Sequence, residues 1–174
     1  MKKIACLLVS FCLLCPTLFA QEKSPVASAL REVAKERGPN LVAAAEEMPA
    51  DKYGFKATPA QMTFGHLVLH TAGANYLLCS KIAGVAAPEQ PKLSDTDAKE
   101  KLVERLKGSF DFCSSALAKV DDSKLDETLT LFGSWKATRA MAILEIGMDW
   151  ADHYSLAATY LRLNGLLPPT AKKK

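Results

Sequence analysis

Apolar residues recur at three- and four-residue spacing in four segments of this chain, and glycine, proline or polar turn residues separate the segments. This spacing predicts amphipathic helices. They cover about residues 25–48, 59–82, 95–117 and 134–164. No segment shows clean period-two alternation of a strand, and no internal repeat occurs. The sequence therefore predicts an all-α protein folded as a four-helix bundle.

Local signals mark the ends of these helices. Thr58-Pro59-Ala60-Gln61 is a capping-box pattern with proline at the first helical position, which predicts the start of the second helix. Gly38-Pro39 predicts a kink or break within the first helix, because proline lacks an N–H donor and clashes with the preceding turn. Gly165, followed by Pro168-Pro169, predicts the end of the last.

The first twenty residues resemble a secretory signal peptide. Lys2 and Lys3 precede the apolar run from Ile4 to Leu14, and Ala20 offers a small residue for cleavage before Gln21. This run is too short to favour a membrane span, and no later segment approaches about twenty uninterrupted apolar residues. We expect an exported protein, periplasmic or secreted, with residues 1–20 removed and no stable membrane span.

The remaining residues, 21–174, are enough for one domain with its own core. The formal net charge of +3 includes two lysines of the leader and three of the C-terminal run, so the body of the domain is mildly acidic. This charge distribution argues against a nucleic-acid partner.

Only Cys79 and Cys113 remain after the leader, since the other three cysteines lie within it. In an oxidising compartment these two residues could form a disulfide, and the alternative is a pair of buried apolar thiols. Spacing alone does not decide between them, because a disulfide needs the two Cα atoms close together.

All three histidines lie on apolar faces of predicted helices. Asp149 and His153 are one turn apart on the last helix, so their side chains project together, and an antiparallel second helix could add His70. A carboxylate and two imidazoles suit zinc, nickel, manganese or iron. We therefore take His70, Asp149 and His153 as candidate ligands of a divalent metal ion.

Other arrangements of the same residues remain open. His66 lies one turn before His70, and the two histidines could bind an ion without Asp149. Glu145 lies one turn before Asp149, so His66 or Glu145 could act as an extra or outer ligand. The polar stripe could also lie at a helix edge and simply be hydrated.

Three stretches together resemble the DinB-like superfamily of bacterial four-helix proteins, which is related to bacillithiol transferases and mycothiol-dependent maleylpyruvate isomerase. They are the phrase from Met48 to Pro59, the motif from Phe64 to His70, and the closing run from Asp149 to Pro169. The last is the most specific, with His-Tyr, then Tyr-Leu-Arg, then glycine and two prolines.

The resemblance implies a divalent metal held by one histidine of the second helix and two histidines of the last. His70 and His153 match two of these positions, while Asp149 stands where the family usually has a histidine. It further implies a metal-dependent hydrolase or thiol transferase acting on an unknown small-molecule substrate. The alternative is a non-catalytic ligand-binding or structural bundle, which could form a homodimer.

The leader gives a first prediction. When the full chain is expressed in a bacterium with a functional secretion system, intact-mass measurement of the exported protein should give a mature chain that starts near Gln21. A cytoplasmic protein that retains residues 1–20 would contradict it.

Overall fold

The computed structural model describes residues 24–172, and the predicted leader lies outside this range. Four helices dominate it, which confirms the all-α prediction. They are α1 (Pro25–Glu47), α2 (Phe64–Ala83), α3 (Lys99–Leu117) and α4 (Arg139–Leu163). Short 3-10 turns lie at Ala50–Lys52, Asp122–Lys124 and Pro169–Ala171. None of the helices within 24–172 combines the length and the apolar character that a membrane crossing requires.

The four helices close into a ring in which α1 packs on α4, α4 on α2, α2 on α3, and α3 on α1. Contacts along the helices give their directions. Asn75 and Cys79 of α2 meet Ser109 and Cys113 of α3, so these two helices run parallel. Trp150 of α4 meets Asn75, and α4 therefore runs antiparallel to α2, since His153 meets the earlier His70.

The parallel direction of α2 and α3 constrains the segment that joins them. Parallel neighbours need a connection that returns along the bundle. The 84–98 segment spans up to about 50 Å when extended, whereas the 20 residues of α2 rise only about 30 Å. The segment does return to the start of α2, because a Cβ on Gly65 would lie 2.4 Å from the carbonyl oxygen of Asp95.

Helix α1 continues through Gly38-Pro39, so of the predicted kink or break the break does not occur. One missing hydrogen bond is outweighed by packing along the helix. Gly38 has a specific role in that packing, since a Cβ there would lie only 3.0 Å from the ring of Phe110 in α3. The glycine lets α1 and α3 approach closely at the point where the proline interrupts the hydrogen-bond ladder.

Helices α2 and α3 begin later than predicted. Helix α2 begins at Phe64 rather than near Pro59, and its N-cap is Thr63, whose side chain accepts a hydrogen bond from the His66 N–H at 2.9 Å. The backbone N–H groups of Phe64 and Gly65 donate to carbonyls at 55 and 53, so the chain before Thr63 forms turns around the helix end. Helix α3 likewise begins at Lys99, after a turn over 94–97.

A small hairpin precedes α4, where no strand was expected. Strands β1 (Thr128–Thr130) and β2 (Lys136–Thr138) pair antiparallel, with Leu129 opposite Ala137. Three residues are too few for an alternating pattern to stand out in a sequence. Gly133 has φ +56 in the connecting turn. The pairing consumes residues 136–138, so α4 begins at Arg139 and not at about 134.

The core lies between all four helices. Its largest fully buried side chains include Trp150 and Tyr160 of α4, Phe64 of α2 and Met48. Trp150 lies between Asp149 and His153 on α4, and Tyr160 lies about two turns after His153. The helix that presents the candidate ligands is therefore anchored on its inner side by two large aromatic residues.

Cys79 and Cys113 form a disulfide between α2 and α3, with their Cα atoms 5.3 Å apart. The disulfide alternative is thus the correct one. It also fixes the parallel pairing of the two helices near the end of α2.

We predict that the disulfide contributes substantially to stability. For a sequence separation of 34 residues the chain-entropy relation gives roughly 3 to 4 kcal/mol. Reduction with dithiothreitol should lower the free energy of unfolding in urea by about that amount. The Cys79→Ala/Cys113→Ala variant should have a low stability that the reductant no longer changes. Equal stability of the oxidised and reduced wild type would contradict the prediction.

Candidate metal centre

The antiparallel pairing of α2 and α4 brings the three predicted ligands together. His70 comes from the second turn of α2, and Asp149 and His153 come from successive turns of α4. Each residue offers one ligand atom, and the three atoms all lie within 4.8 Å of one another. The three atoms are close enough for one ion to bind all of them after small side-chain shifts.

The two imidazoles meet edge to face. The ring centroids of His70 and His153 lie 5.0 Å apart with an angle of 84° between the rings. On the α4 side, His153 Nδ1 lies 3.1 Å from Asp149 Oδ2. The cluster therefore contains one close carboxylate–imidazole pair on one helix and a single imidazole facing it from the other.

Two polar atoms of this pair lack hydrogen bonds. Asp149 Oδ2 and His153 Nδ1 are both buried, and neither has a hydrogen-bond partner among residues 24–172. Although 3.1 Å apart, they are not aligned for a hydrogen bond with each other. A buried polar atom without a partner costs about 1 to 3 kcal/mol. Both atoms are of the types that coordinate divalent metals, so a cation between the three residues would satisfy them.

The cluster lies at the rim of the core and opens towards solvent on one side. The side chains of His153 and Asp149 are 12% and 21% exposed, respectively, whereas His70 is exposed. A small molecule could therefore approach from the side of His70 while the α4 residues remain shielded.

The environment holds the pKa of His70 below its usual value. Partial burial is the largest cause, followed by the neighbouring His153, while the Asp149 carboxylate opposes them. A lower pKa favours the neutral imidazole at neutral pH, and the neutral form is the one that binds a metal.

His66 and Glu145 do not belong to the cluster in the described part of the chain. The His66 ring lies parallel to that of His70 with centroids 6.2 Å apart, and its Nδ1 lies 3.8 Å from Asp95 Oδ2. Glu145 is half-buried one turn away from Asp149. Of the arrangements that the sequence left open, the structure brings together the set of His70, Asp149 and His153.

Two nearby polar residues were not singled out from the sequence. Asp95 accepts a hydrogen bond from the Thr63 hydroxyl at 3.0 Å beside His66, and nothing in the sequence places that loop residue near α2. Asn75 is fully buried and bonds to Trp150. An asparagine within the apolar stretch of α2 is a signal that could have identified it.

The sequence profile described as the DinB superfamily matches residues 34–153. The chain belongs to the DinB superfamily. The matched region includes all three residues of the candidate metal-ligand cluster, which are His70, Asp149 and His153, and ends at His153. No curated protein matches the chain in sequence.

Solved structures with the same fold include proteins from three bacteria. A DinB-like protein from Bacillus subtilis is 21% identical with a TM-score of 0.65, and the match covers 83% of this chain and 99% of that one. A DinB-like protein from Bacillus cereus is 11% identical with a TM-score of 0.67, covering 86% and 98%. A conserved protein from Enterococcus faecalis is 15% identical with a TM-score of 0.64, covering 79% and 96%. At these identities the likeness supports the DinB-like fold alone.

The geometry of this DinB-superfamily chain predicts different contributions of His66 and His70 to metal binding. We expect His70→Ala to weaken zinc binding by more than about 100-fold, because it removes a coordinating atom, and His66→Ala to weaken it by less than about tenfold. Isothermal titration calorimetry on metal-free protein measures both. Equal losses in the two variants would contradict the assignment of His70 rather than His66.

Proposed function

We propose that this DinB-superfamily protein binds one divalent metal ion through His70, Asp149 and His153. The observation that carries the proposal is the pair of buried atoms, Asp149 Oδ2 and His153 Nδ1, that have no hydrogen-bond partner in the described chain. The same two residues and His70 each offer one ligand atom, and these three atoms lie within 4.8 Å of one another. Helix packing alone offers no reason to bury a carboxylate oxygen and an imidazole nitrogen without hydrogen bonds.

The donor set fits a first-row divalent ion. Two neutral imidazoles and one carboxylate offset one unit of the ion's charge, and this combination suits zinc, nickel, manganese or iron. Calcium and magnesium prefer sites made mainly of oxygen atoms. The proposal leaves the choice among the four transition metals to measurement.

The proposed activity is a metal-dependent hydrolysis or thiol transfer on a small molecule. Three protein ligands leave coordination positions free, and a divalent ion held there supplies Lewis acidity that lowers the pKa of a water or thiol ligand. Asp149 and His153 would orient the site from the shielded side, and the exposed face of His70 would admit the substrate.

We also propose that the protein acts after export. The pattern of residues 1–20 supports this, and the Cys79–Cys113 disulfide supports it independently, since disulfides persist mainly in oxidising compartments. A thiol substrate would then need to be available outside the cytoplasm, whereas a hydrolytic substrate would need only water.

The decisive experiment is elemental analysis of protein purified without chelator or affinity-tag metal. We expect about one divalent ion per chain in the wild type, and loss of that ion in Asp149→Ala and in His153→Ala. Asp152→Ala is the matched control, because it removes an exposed carboxylate from the same helix that lies outside the cluster. The control should retain the metal.

The outcomes separate the two functions considered from the sequence. Stoichiometric metal lost only in the cluster variants would support the site and justify screening thiol-transfer and hydrolytic substrates with the loaded protein. A wild type that takes up no zinc, nickel, manganese or iron, even when these are added, would overturn the proposal in favour of a non-catalytic bundle.

A further inference from the structure

A buried polar network joins three helices beside the metal-ligand cluster. Asn75 of α2, Ser109 of α3 and Trp150 of α4 are each fully buried. The indole N–H of Trp150 donates to Asn75 Oδ1 at 2.6 Å, and the Asn75 amide donates to Ser109 Oγ at 2.9 Å. The Ser109 hydroxyl donates in turn to the Leu106 carbonyl at 2.7 Å. Because that hydroxyl proton is committed to Leu106, Ser109 Oγ acts as the acceptor for the Asn75 amide N–H.

The network lies next to the candidate ligands in sequence and in space. Asn75 follows His70 by five residues on α2, which is less than one and a half helical turns. Trp150 directly follows Asp149 and precedes His153 by three residues. The Trp150–Asn75 hydrogen bond therefore links the α4 segment that carries two candidate ligands to the α2 segment that carries the third.

Hydrogen-bond direction gives this contact a role that apolar packing does not have. The free energy of apolar burial has no directional dependence, so it fixes the position of one helix along another less sharply than a hydrogen bond does. A shift of one residue moves a helix by 1.5 Å along its axis and turns its side chains by about 100°. Such a shift would break the 2.6 Å bond and separate His70 from the other two ligands.

The hydroxyl of Tyr160 gives a second fixed point on the other side of the cluster. It donates to the Met62 carbonyl, just before α2, at 2.8 Å. The contact between His70 and His153 thus lies between two directional bonds, one at each end. Of the two, only the Asn75 bond uses a buried amide side chain, which is costly to bury unless its partners are present.

We propose that Asn75 is a positioning residue for the metal site, acting through Trp150 to hold α2 and α4 in the register that brings His70 to Asp149 and His153. This inference rests on the proposed metal binding. An apolar side chain of similar size at position 75 would fill the same space, so the asparagine contributes register rather than volume. The Ser109 hydrogen bond uses the amide nitrogen of Asn75 rather than the Oδ1 that meets Trp150, and Ser109 lies on a helix with no residue in the cluster.

The test uses Co²⁺ alone as the probe, added to metal-free, disulfide-bonded protein. Absorption titration gives the Kd, and the visible d–d bands report the geometry of the bound ion. We expect Asn75→Leu and Trp150→Phe each to weaken Co²⁺ binding by about tenfold and to change the band positions, in line with the loss of supporting contacts around metal ligands. In the Asn75→Leu/Trp150→Phe double variant, the loss should be no greater than in either single variant, because both remove the same bond.

Ser109→Ala is the matched control. It also removes a buried hydrogen bond of Asn75, so it should lower the free energy of unfolding, as measured in urea, but leave the Kd and the Co²⁺ spectrum close to those of the wild type. Circular dichroism shows whether each variant folds. If Asn75→Leu does not fold, Trp150→Phe decides, since it keeps an aromatic ring in the core and removes only the indole N–H and part of the ring.

The results distinguish this inference from the proposed function. Wild-type Kd and spectrum in folded Asn75→Leu, or in Trp150→Phe, would overturn the positioning role while leaving the metal site intact. Equal weakening in Ser109→Ala would also overturn it, because general loss of stability would then explain the effect. A wild type that binds no Co²⁺ would overturn the proposed function and this inference with it.

Discussion

The packing of α4 against α2 is the contact on which the candidate site depends. Neither helix alone carries the full set, since α2 supplies His70 and α4 supplies Asp149 and His153. The inner face of α4 is fixed by the fully buried Trp150 and Tyr160. Asp149 directly precedes Trp150 and His153 follows it by three residues, so both lie beside Trp150 on the surface of the helix. Because Trp150 is buried in the core, Asp149 and His153 lie at the edge of the core that faces α2. The apolar core thus determines where the polar cluster can lie.

The parallel pair of α2 and α3 supports the contact between α2 and α4 from the opposite side of α2. The Cys79–Cys113 disulfide and the Asn75–Ser109 hydrogen bond both join α2 to α3, at points one helical turn apart. Helix α2 is therefore held on one side by a covalent link and a polar bond while its other side meets α4. A helix held in this way has little freedom to rotate, and rotation is the movement that would take His70 out of reach of α4.

The sequence was enough to predict which candidate ligands lie together on one helix, but not how the two helices are rotated against each other. Spacing of i and i+4 placed Asp149 beside His153, and His66 beside His70, because local helix geometry determines both pairs. The sequence favoured His70 but left His66 open, because the choice depends on the level at which two helices far apart in the sequence meet. The Trp150–Asn75 hydrogen bond between these helices spans 75 residues. Local sequence signals were also insufficient to predict the continuous helix at Pro39 and the hairpin before α4. In α1, packing against α3 outweighed the missing donor, and three-residue strands were too short to leave a pattern.

The aspartate at position 149 gives this site a character that three histidines would not have. Three neutral imidazoles leave the full charge of a divalent ion uncompensated, whereas one carboxylate offsets half of it and adds a hard oxygen donor. The same carboxylate tends to raise the pKa of His70, which would favour a proton as the competing cation. Burial and the facing His153 act in the opposite direction and prevail, so the pKa of His70 is lowered. The arrangement therefore places a carboxylate beside an imidazole whose protonation the surroundings disfavour, and under the proposed function both features would favour a divalent cation over a proton.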